Sequence, residues 1–463
     1  MQRLAVAVLT LASGSVQAAM AVLGADHNLT AVVANVDAPM THTILELSAV
    51  YVAPHFDFIA VPPGGYITVS APDGSQAVNY TGSRRDFYAE YIQGEAALIT
   101  YTPPTDIVQA SPDNAFVIDR YASGAGETAA IEAICGNDDT KPAVCFKVLD
   151  PPKYKATQAV ARLLINGTSL CTGWLFGSEG HLITNNHCIP NAQTASNIQF
   201  EFGAECATCD DPNGAVQLGC KGQVVATSAE FINTDHTLDY TLVKLNVKDN
   251  TSLAKFGYLQ ARWTAPELGE PIYIPQHPGG KPSRIATLLD NQTIGTIEST
   301  SIQTCSPDEV GYSLDTEPGA SGSPVISTKD NTVIALHNCG GCFNGAIKLN
   351  KIVDQLTQLK LLPANAVKGT SPSPNTTTPA TTPSRPTRAP ATSRPNSPAP
   401  TLPTTTPSPS SPVPSQPTSS PAPSSRPSMP CKHKTRKPKK PKQPKTTVPS
   451  STPSTTDAND GSY

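Results

Sequence analysis

Ser321 lies in Gly319-Ala320-Ser321-Gly322-Ser323-Pro324, between two glycines and ahead of a proline. Glycine tolerates backbone angles that a Cβ forbids, so a tight turn here can lift one hydroxyl clear of the chain. The amides of Gly319 and Ser321 can then converge on one point, the arrangement of an activated nucleophile with donors for a developing oxyanion. Such a hexapeptide also occurs in ordinary surface turns, so the chemistry requires a base and an orienting carboxylate elsewhere. Leu182-Ile183-Thr184-Asn185-Asn186-His187-Cys188 offers the base, an apolar strand ending in Asn-Asn-His-Cys, with Cys171 17 residues before Cys188. A Cys171–Cys188 bridge would pin the histidine loop and hold the imidazole still. Thr237-Leu238-Asp239-Tyr240-Thr241-Leu242-Val243-Lys244-Leu245 places Asp239 at the mouth of an apolar strand, where a carboxylate can be buried and still accept hydrogen bonds. Asp235 lies nearby with no strand directly after it, so Asp239 is the expected partner of the ring. His42, His55, His181, His236 and His433 lack such settings and read as surface or structural.

These residues must be positioned by strands. Residues 131–365 show short apolar runs, such as Ala159-Val160-Ala161-Arg162-Leu163-Leu164, separated by Gly, Asn, Asp and Pro clusters. The segment closes with a helix, in which Leu349, Ile352, Val353, Leu356 and Leu359 form the apolar stripe and Pro363 sets the end. Its length suits two packed barrels or one large sandwich. Residues 20–130 read as a smaller β-rich unit, β-sandwich-like, with Thr43–Leu47, Tyr66–Val69 and Ala97–Tyr101 divided by Pro62-Pro63-Gly64-Gly65 and Pro72-Asp73-Gly74. It holds no catalytic constellation and is a propeptide, folding aid or binding module. Arg84-Arg85 reads as an exposed turn rather than a processing site.

The ends of the chain carry other signals. Met1-Gln2-Arg3, an apolar run over Leu4–Ala12 and small residues to Ala19 read as a secretory signal peptide, residues 1–19, with too short an apolar run to span a bilayer. Ten of the 11 cysteines fall between Cys135 and Cys342, as expected of a disulfide-bonded extracellular domain. Asn28, Asn79, Asn166, Asn250, Asn291 and Asn375 begin glycosylation sequons. More than half of the 46 prolines lie beyond residue 366, in a Pro/Ser/Thr-rich tail, residues 366–463, that reads as disordered and suited to O-glycosylation. A basic cluster at 432–445 stands beside the odd cysteine, Cys431. Its readings are a solvated charge run or contact with an acidic polysaccharide or cell surface. Residues 1–369 carry 21 Lys and Arg against 35 Asp and Glu, whereas the rest carries 12 against 2. The acidic body disfavours nucleic acid as partner.

Taken together, Cys171-Thr172-Gly173-Trp174, Thr184-Asn185-Asn186-His187-Cys188, Asp239–Leu245 and Thr316–Pro324 with Val333-Ile334-Ala335-Leu336-His337 resemble the secreted trypsin-like serine peptidases of chymotrypsin fold, closest to the lysyl- and glutamyl-endopeptidase-like branch. The resemblance covers residues 131–362. It implies a mainly β protein with a double β-barrel and C-terminal helix, and an endopeptidase acting on polypeptides without cofactor or metal. It assigns His187, Asp239 and Ser321 to the triad, the amides of Gly319 and Ser321 to the oxyanion hole, and Cys171–Cys188 to a disulfide. Cys135 and Cys145 would tie the start of the segment to its body.

Substrate choice is read from Asp315, at the position of the pocket carboxylate in trypsin-like enzymes, and from Thr316 and His337, which match glutamyl-specific relatives. A buried Asp315 repels glutamate, so the balance leans to Lys or Arg before the cut. Ala320 replaces the aspartate that pairs with a new N-terminus in trypsin, and no Ile-Val-Gly-Gly precedes the segment. Activation by that ion pair is excluded; if a zymogen exists, removal of the N-terminal unit is the expected control. The competing function is a catalytically silent homologue that binds or adheres. Cys206-Ala207-Thr208-Cys209 and Cys339-Gly340-Gly341-Cys342 have zinc-like spacing but are expected in disulfides, in an oxidising compartment.

Overall fold

The computed structural model describes residues 20–34, 38–105, 115–125, 134, 136–248 and 251–369. The expected signal peptide, the tail from 370 with its basic cluster, Cys135 and Cys431 lie outside the described residues.

Alternation of apolar and polar residues puts one face of each N-terminal strand inward; along Ala96–Thr102 every second side chain is buried. A five-stranded and a four-stranded antiparallel sheet result, with Val52, Phe56, Ile67, Phe87, Ile99 and Phe116 in the core between them, which is a β-sandwich. Arg84-Arg85 is not a turn. Both residues lie within the strand Ser83–Tyr88, with the Arg84 guanidinium 4.1 Å from the centroid of the Phe87 ring and its Nη1 3.3 Å from Thr227 Oγ1.

The second part is built on two larger antiparallel sheets. In the first, Ser169–Leu175, Val160–Ile165, Ile198–Phe202, Gln223–Asp235, Tyr240–Val247 and His181–Thr184 follow one another, and the last pairs back onto the first through Trp174↔Ile183 and Leu175↔Leu182. That pairing closes a barrel. The second sheet has eight strands and carries Glu309–Tyr312, Pro324–Ser327, Val333–Cys339 and Asn344–Lys348. The fold is therefore mainly β, with the double-barrel organisation expected. Val160–Ile165 is buried along its whole length because Leu163 faces the barrel core while Leu164 packs against Tyr51 and Tyr91 of the N-terminal sandwich. Two residues at the start of the described chain, Ala21–Val22, add a further strand to the barrel sheet opposite Leu170 and Ser169.

The helix Leu349–Leu359 buries Leu349, Ile352, Val353 and Leu356, whereas Leu359 is exposed. Its end differs from expectation. Lys360 turns left-handed, at φ 60°, and the Leu361 amide bonds back to Leu356 O, so the helix stops before Pro363.

Among the described residues the disulfides are Cys145–Cys209, Cys171–Cys188, Cys206–Cys220 and Cys305–Cys339. Cys342 is also disulfide-bonded. Each CxxC pair thus sends its two sulfurs to different partners rather than converging them.

Candidate active site

His187 stands in the loop after His181–Thr184, fixed on several sides. The Cys171–Cys188 bridge ties the next residue to the neighbouring strand. Asn185 Nδ2 donates to Asp239 O at 2.8 Å and Asn186 Nδ2 to Thr234 Oγ1 at 2.7 Å. Asp239 precedes Tyr240–Val247 with φ 37°, a left-handed turn conformation that aspartate tolerates better than most residues. Its carboxylate is buried and bidentate: Oδ1 accepts the His187 amide at 3.0 Å and Oδ2 lies 2.8 Å from His187 Nδ1. The other ring nitrogen, Nε2, is buried without a hydrogen-bond partner among the described residues. Asp235 spends its oxygens differently, on the amides of Thr237 and Leu238 and on Gln355 Nε2 of the C-terminal helix.

Ser321 lies at the apex of a turn between glycines at φ 98° and 88°, Gly319 and Gly322. Ala320 N donates to Glu317 O and Ser323 N to Ala320 O, both at 2.9 Å, which curls residues 317–323 tightly. The turn is stitched to both barrels. Thr172 N donates to Ser321 O and Thr172 Oγ1 to Gly319 O, each at 2.8 Å, while Gly322 N donates to His337 O at 2.9 Å. The amides of Gly319 and Ser321 donate to no acceptor among the described residues. No bond joins the Ser321 hydroxyl to His187 Nε2, a contact that tightens in many such sites only with substrate present.

The residues read as a specificity wall lie in the second barrel and the segment before the turn. Thr316 Oγ1 donates to Asn344 Oδ1 at 3.0 Å, and Asn344 Nδ2 donates to Leu314 O at 2.6 Å. Asp315 is buried, with Oδ2 accepting the Asp139 amide at 2.9 Å and its carbonyl accepting Gln276 Nε2 at 2.8 Å. His337 is buried with Nδ1 2.7 Å from Tyr312 Oη. Burial, reinforced by the nearby His187, holds the His337 imidazole down at about 3, so it is neutral over the physiological range.

Sequence reasoning missed Thr172 and Asn344. Thr172 sits in the Cys-Thr-Gly-Trp segment, but only the folded chain reveals that its amide and hydroxyl hold the nucleophile turn, that its carbonyl accepts Thr184 Oγ1 at 2.7 Å from the strand before the histidine loop, and that its Oγ1 also accepts the His277 amide at 3.2 Å. Asn344 carries no motif at all.

A family model described as "Trypsin-like peptidase domain" matches residues 171–336. The chain is 39% identical over 333 residues to "Secreted RxLR effector protein 73" of Plasmopara viticola, covering 68% of this chain and 81% of that protein. It is 30% identical over 195 residues to "Uncharacterized protein y4fB" of Sinorhizobium fredii (strain NBRC 101917 / NGR234), covering 40% of this chain and 28% of that one. Among solved structures, a Glu endopeptidase matches at 21% identity with TM-score 0.35, over 50% of this chain and 99% of its own. An HtrA-type protease with tripeptide matches at 18% identity with TM-score 0.33, over 45% of this chain and 62% of its own.

Proposed function

The chain belongs to the trypsin-like peptidase family, and from that premise we propose that it is a secreted serine endopeptidase working through Ser321, His187 and Asp239. The observations that carry this reading are the bidentate grip of Asp239 on His187, with Nε2 left unpaired, and a Ser321 turn in which the Gly319 and Ser321 amides are uncommitted among the described residues. With Nδ1–H donated to Asp239, Nε2 is the basic nitrogen and takes the Ser321 proton as Oγ attacks the scissile carbonyl. The negative charge moves to the carbonyl oxygen, where the Gly319 and Ser321 amides receive it. The imidazolium returns the proton to the leaving amine as the C–N bond breaks, and water repeats the sequence on the acyl-enzyme.

For substrate choice, the buried carboxylate of Asp315 favours Lys or Arg before the cut. The opposing feature is the Thr316 and His337 wall, which suits an acidic side chain; a neutral His337 offers such a side chain a dipole rather than a charge. A second reading, a silent homologue that binds a target, is favoured by one fact, that a relative carries the name of an effector. Retention of all three triad residue types argues against it. The experiment is hydrolysis of a mixed peptide library by the purified protein and by Ser321→Ala. Cleavage lost in the variant supports the endopeptidase; equal cleavage, or none by either, removes it.

A further inference from the structure

Arg162 lies within the barrel strand Val160–Ile165 with no exposure to solvent. A guanidinium so placed is tolerated only when its charge and its donors are matched. Nε reaches Glu201 Oε2 at 2.9 Å, and Nη2 lies 2.9 Å from the same oxygen and 3.0 Å from Tyr91 Oη. Nη1 donates to the carbonyls of Gly280 at 2.9 Å and Gly219 at 3.2 Å. Tyr91 Oη donates in turn to Glu201, and the Gly222 amide completes that carboxylate. Tyr91 belongs to the N-terminal sandwich, so that unit closes a buried polar cluster inside the peptidase fold.

The surrounding docking is continuous. Tyr51 Oη donates to Gly167 O at 2.7 Å, Gln199 bonds both Ala89 O and Tyr91 N, and Tyr51, Ala53 and Tyr88 share an apolar cluster with Leu164, Leu170 and Leu218. With Ala21–Val22 also built into the barrel sheet, the sandwich is an integrated part of the fold.

The other end of the cluster reaches the nucleophile turn. Gly280, whose carbonyl Arg162 holds, ends the short turn Pro278–Gly280, and Gly279 N donates to Pro318 O at 2.7 Å. In a trans peptide the C=O and N–H point in opposite directions, so this bond fixes where the Gly319 N–H points. The packing is close: a Cβ on Gly319 would lie 3.1 Å from His277 O and 3.2 Å from Gly280 N.

We propose that the N-terminal sandwich is a permanent part of the catalytic unit, in which Tyr91, through Arg162 and the Pro278–Gly280 turn, positions the Gly319 amide of the oxyanion hole. The inference rests on the reading of Ser321 as nucleophile. Tyr91 and Arg162 are positioning residues, and removal of the sandwich disables the site rather than activating it.

The test compares full-length protein with Tyr91→Phe and with Tyr51→Phe, which loses a docking bond unconnected to the turn. Three quantities are read: the rate constant kinact and the constant KI for a fluorophosphonate, the thermal midpoint, and the 15N–1H signal of the Gly319 amide. Tyr91→Phe is expected to lower kinact roughly tenfold with KI unchanged and to shift the Gly319 signal. Tyr51→Phe is expected to lower the midpoint and leave kinact and the Gly319 signal alone. Unchanged kinact and Gly319 signal in Tyr91→Phe, or equal slowing in both variants, overturns the proposal. If the parent protein is not labelled, the peptidase reading fails and the Gly319 signal alone decides the positioning claim. Should Tyr91→Phe not accumulate folded, Arg162→Lys, which loses the fork that spans Tyr91 and Gly280, is measured in the same way.

Discussion

Replacing Asp239 by asparagine reverses the histidine tautomer for a reason visible in the structure. The Asp239 side chain faces two groups, the His187 amide, which can only donate, and His187 Nδ1. Asparagine must keep its oxygen on the amide and so turns its NH2 toward Nδ1. The ring then accepts at Nδ1 and carries its proton on Nε2, where it cannot take one from Ser321. The backbone has no objection, because asparagine tolerates the left-handed φ of 37° at this position. A tautomer reversal of this kind costs about 10⁴ in rate, or about 5.4 kcal/mol of transition-state stabilisation. Two assays check it, the rate at which a fluorophosphonate phosphonylates Ser321 with loss of fluoride, and the 15N shifts of the His187 ring. A variant that keeps a tenth of the parent rate, or a ring proton that stays on Nδ1, refutes the reasoning.

A Cβ on Gly322 would lie 2.1 Å from Thr172 O and 2.3 Å from Thr184 Oγ1, at φ 88°. Gly322→Ala is therefore expected to cost at least about 3 kcal/mol and lower the thermal midpoint by roughly 10 °C; a shift under about 2 °C contradicts this. Burial holds both His277 and His337 down at about 3, below their unfolded value, Arg162 adding to the effect at His277. The unfolded chain takes up protons first, so stability falls as pH drops from about 6.5 toward 3, by up to about 1.4 kcal/mol per group per pH unit. Burial alone would raise the Glu270 carboxyl, but Arg262, Ser327 and the Glu267 amide hold it at about 2, so its contribution fades only below about 4.5. A thermal midpoint flat between pH 6.5 and 5 contradicts the histidine account. Asp315→Ser should lose preference for Lys and Arg before the cut by at least about tenfold in kcat/KM; an unchanged preference assigns specificity to Thr316 and His337 instead.

The pairing of His187 with Asp239 and the tight turn at Ser321 were legible because their residue types are costly elsewhere. A histidine beside a cysteine at a strand end, an aspartate at a strand mouth and a serine between glycines each signal a local backbone requirement. The helix Leu349–Leu359 was legible from its stripe, but its stop depends on Lys360 adopting a left-handed turn, which no residue type announces. What stayed hidden depends on partners distant in the chain. Arg162 interrupts an apolar run, and nothing nearby in sequence explains it; Tyr91 is 71 residues away in another unit. The strand Ala21–Val22 is too short to carry a periodicity. Arg84-Arg85 reads as an exposed turn because a charged pair carries no strand signal; in the strand Ser83–Tyr88 Arg85 is indeed exposed, whereas Arg84 is half-buried over the Phe87 ring.

The central claim is an assembled, reactive Ser321. Its most direct measurement is labelling of the intact purified protein with a fluorophosphonate, followed by peptide mapping of the modified residue. The account predicts a single adduct on Ser321 that heat, Ser321→Ala and His187→Ala each abolish. An unlabelled native protein, or a label that persists in Ser321→Ala, contradicts it.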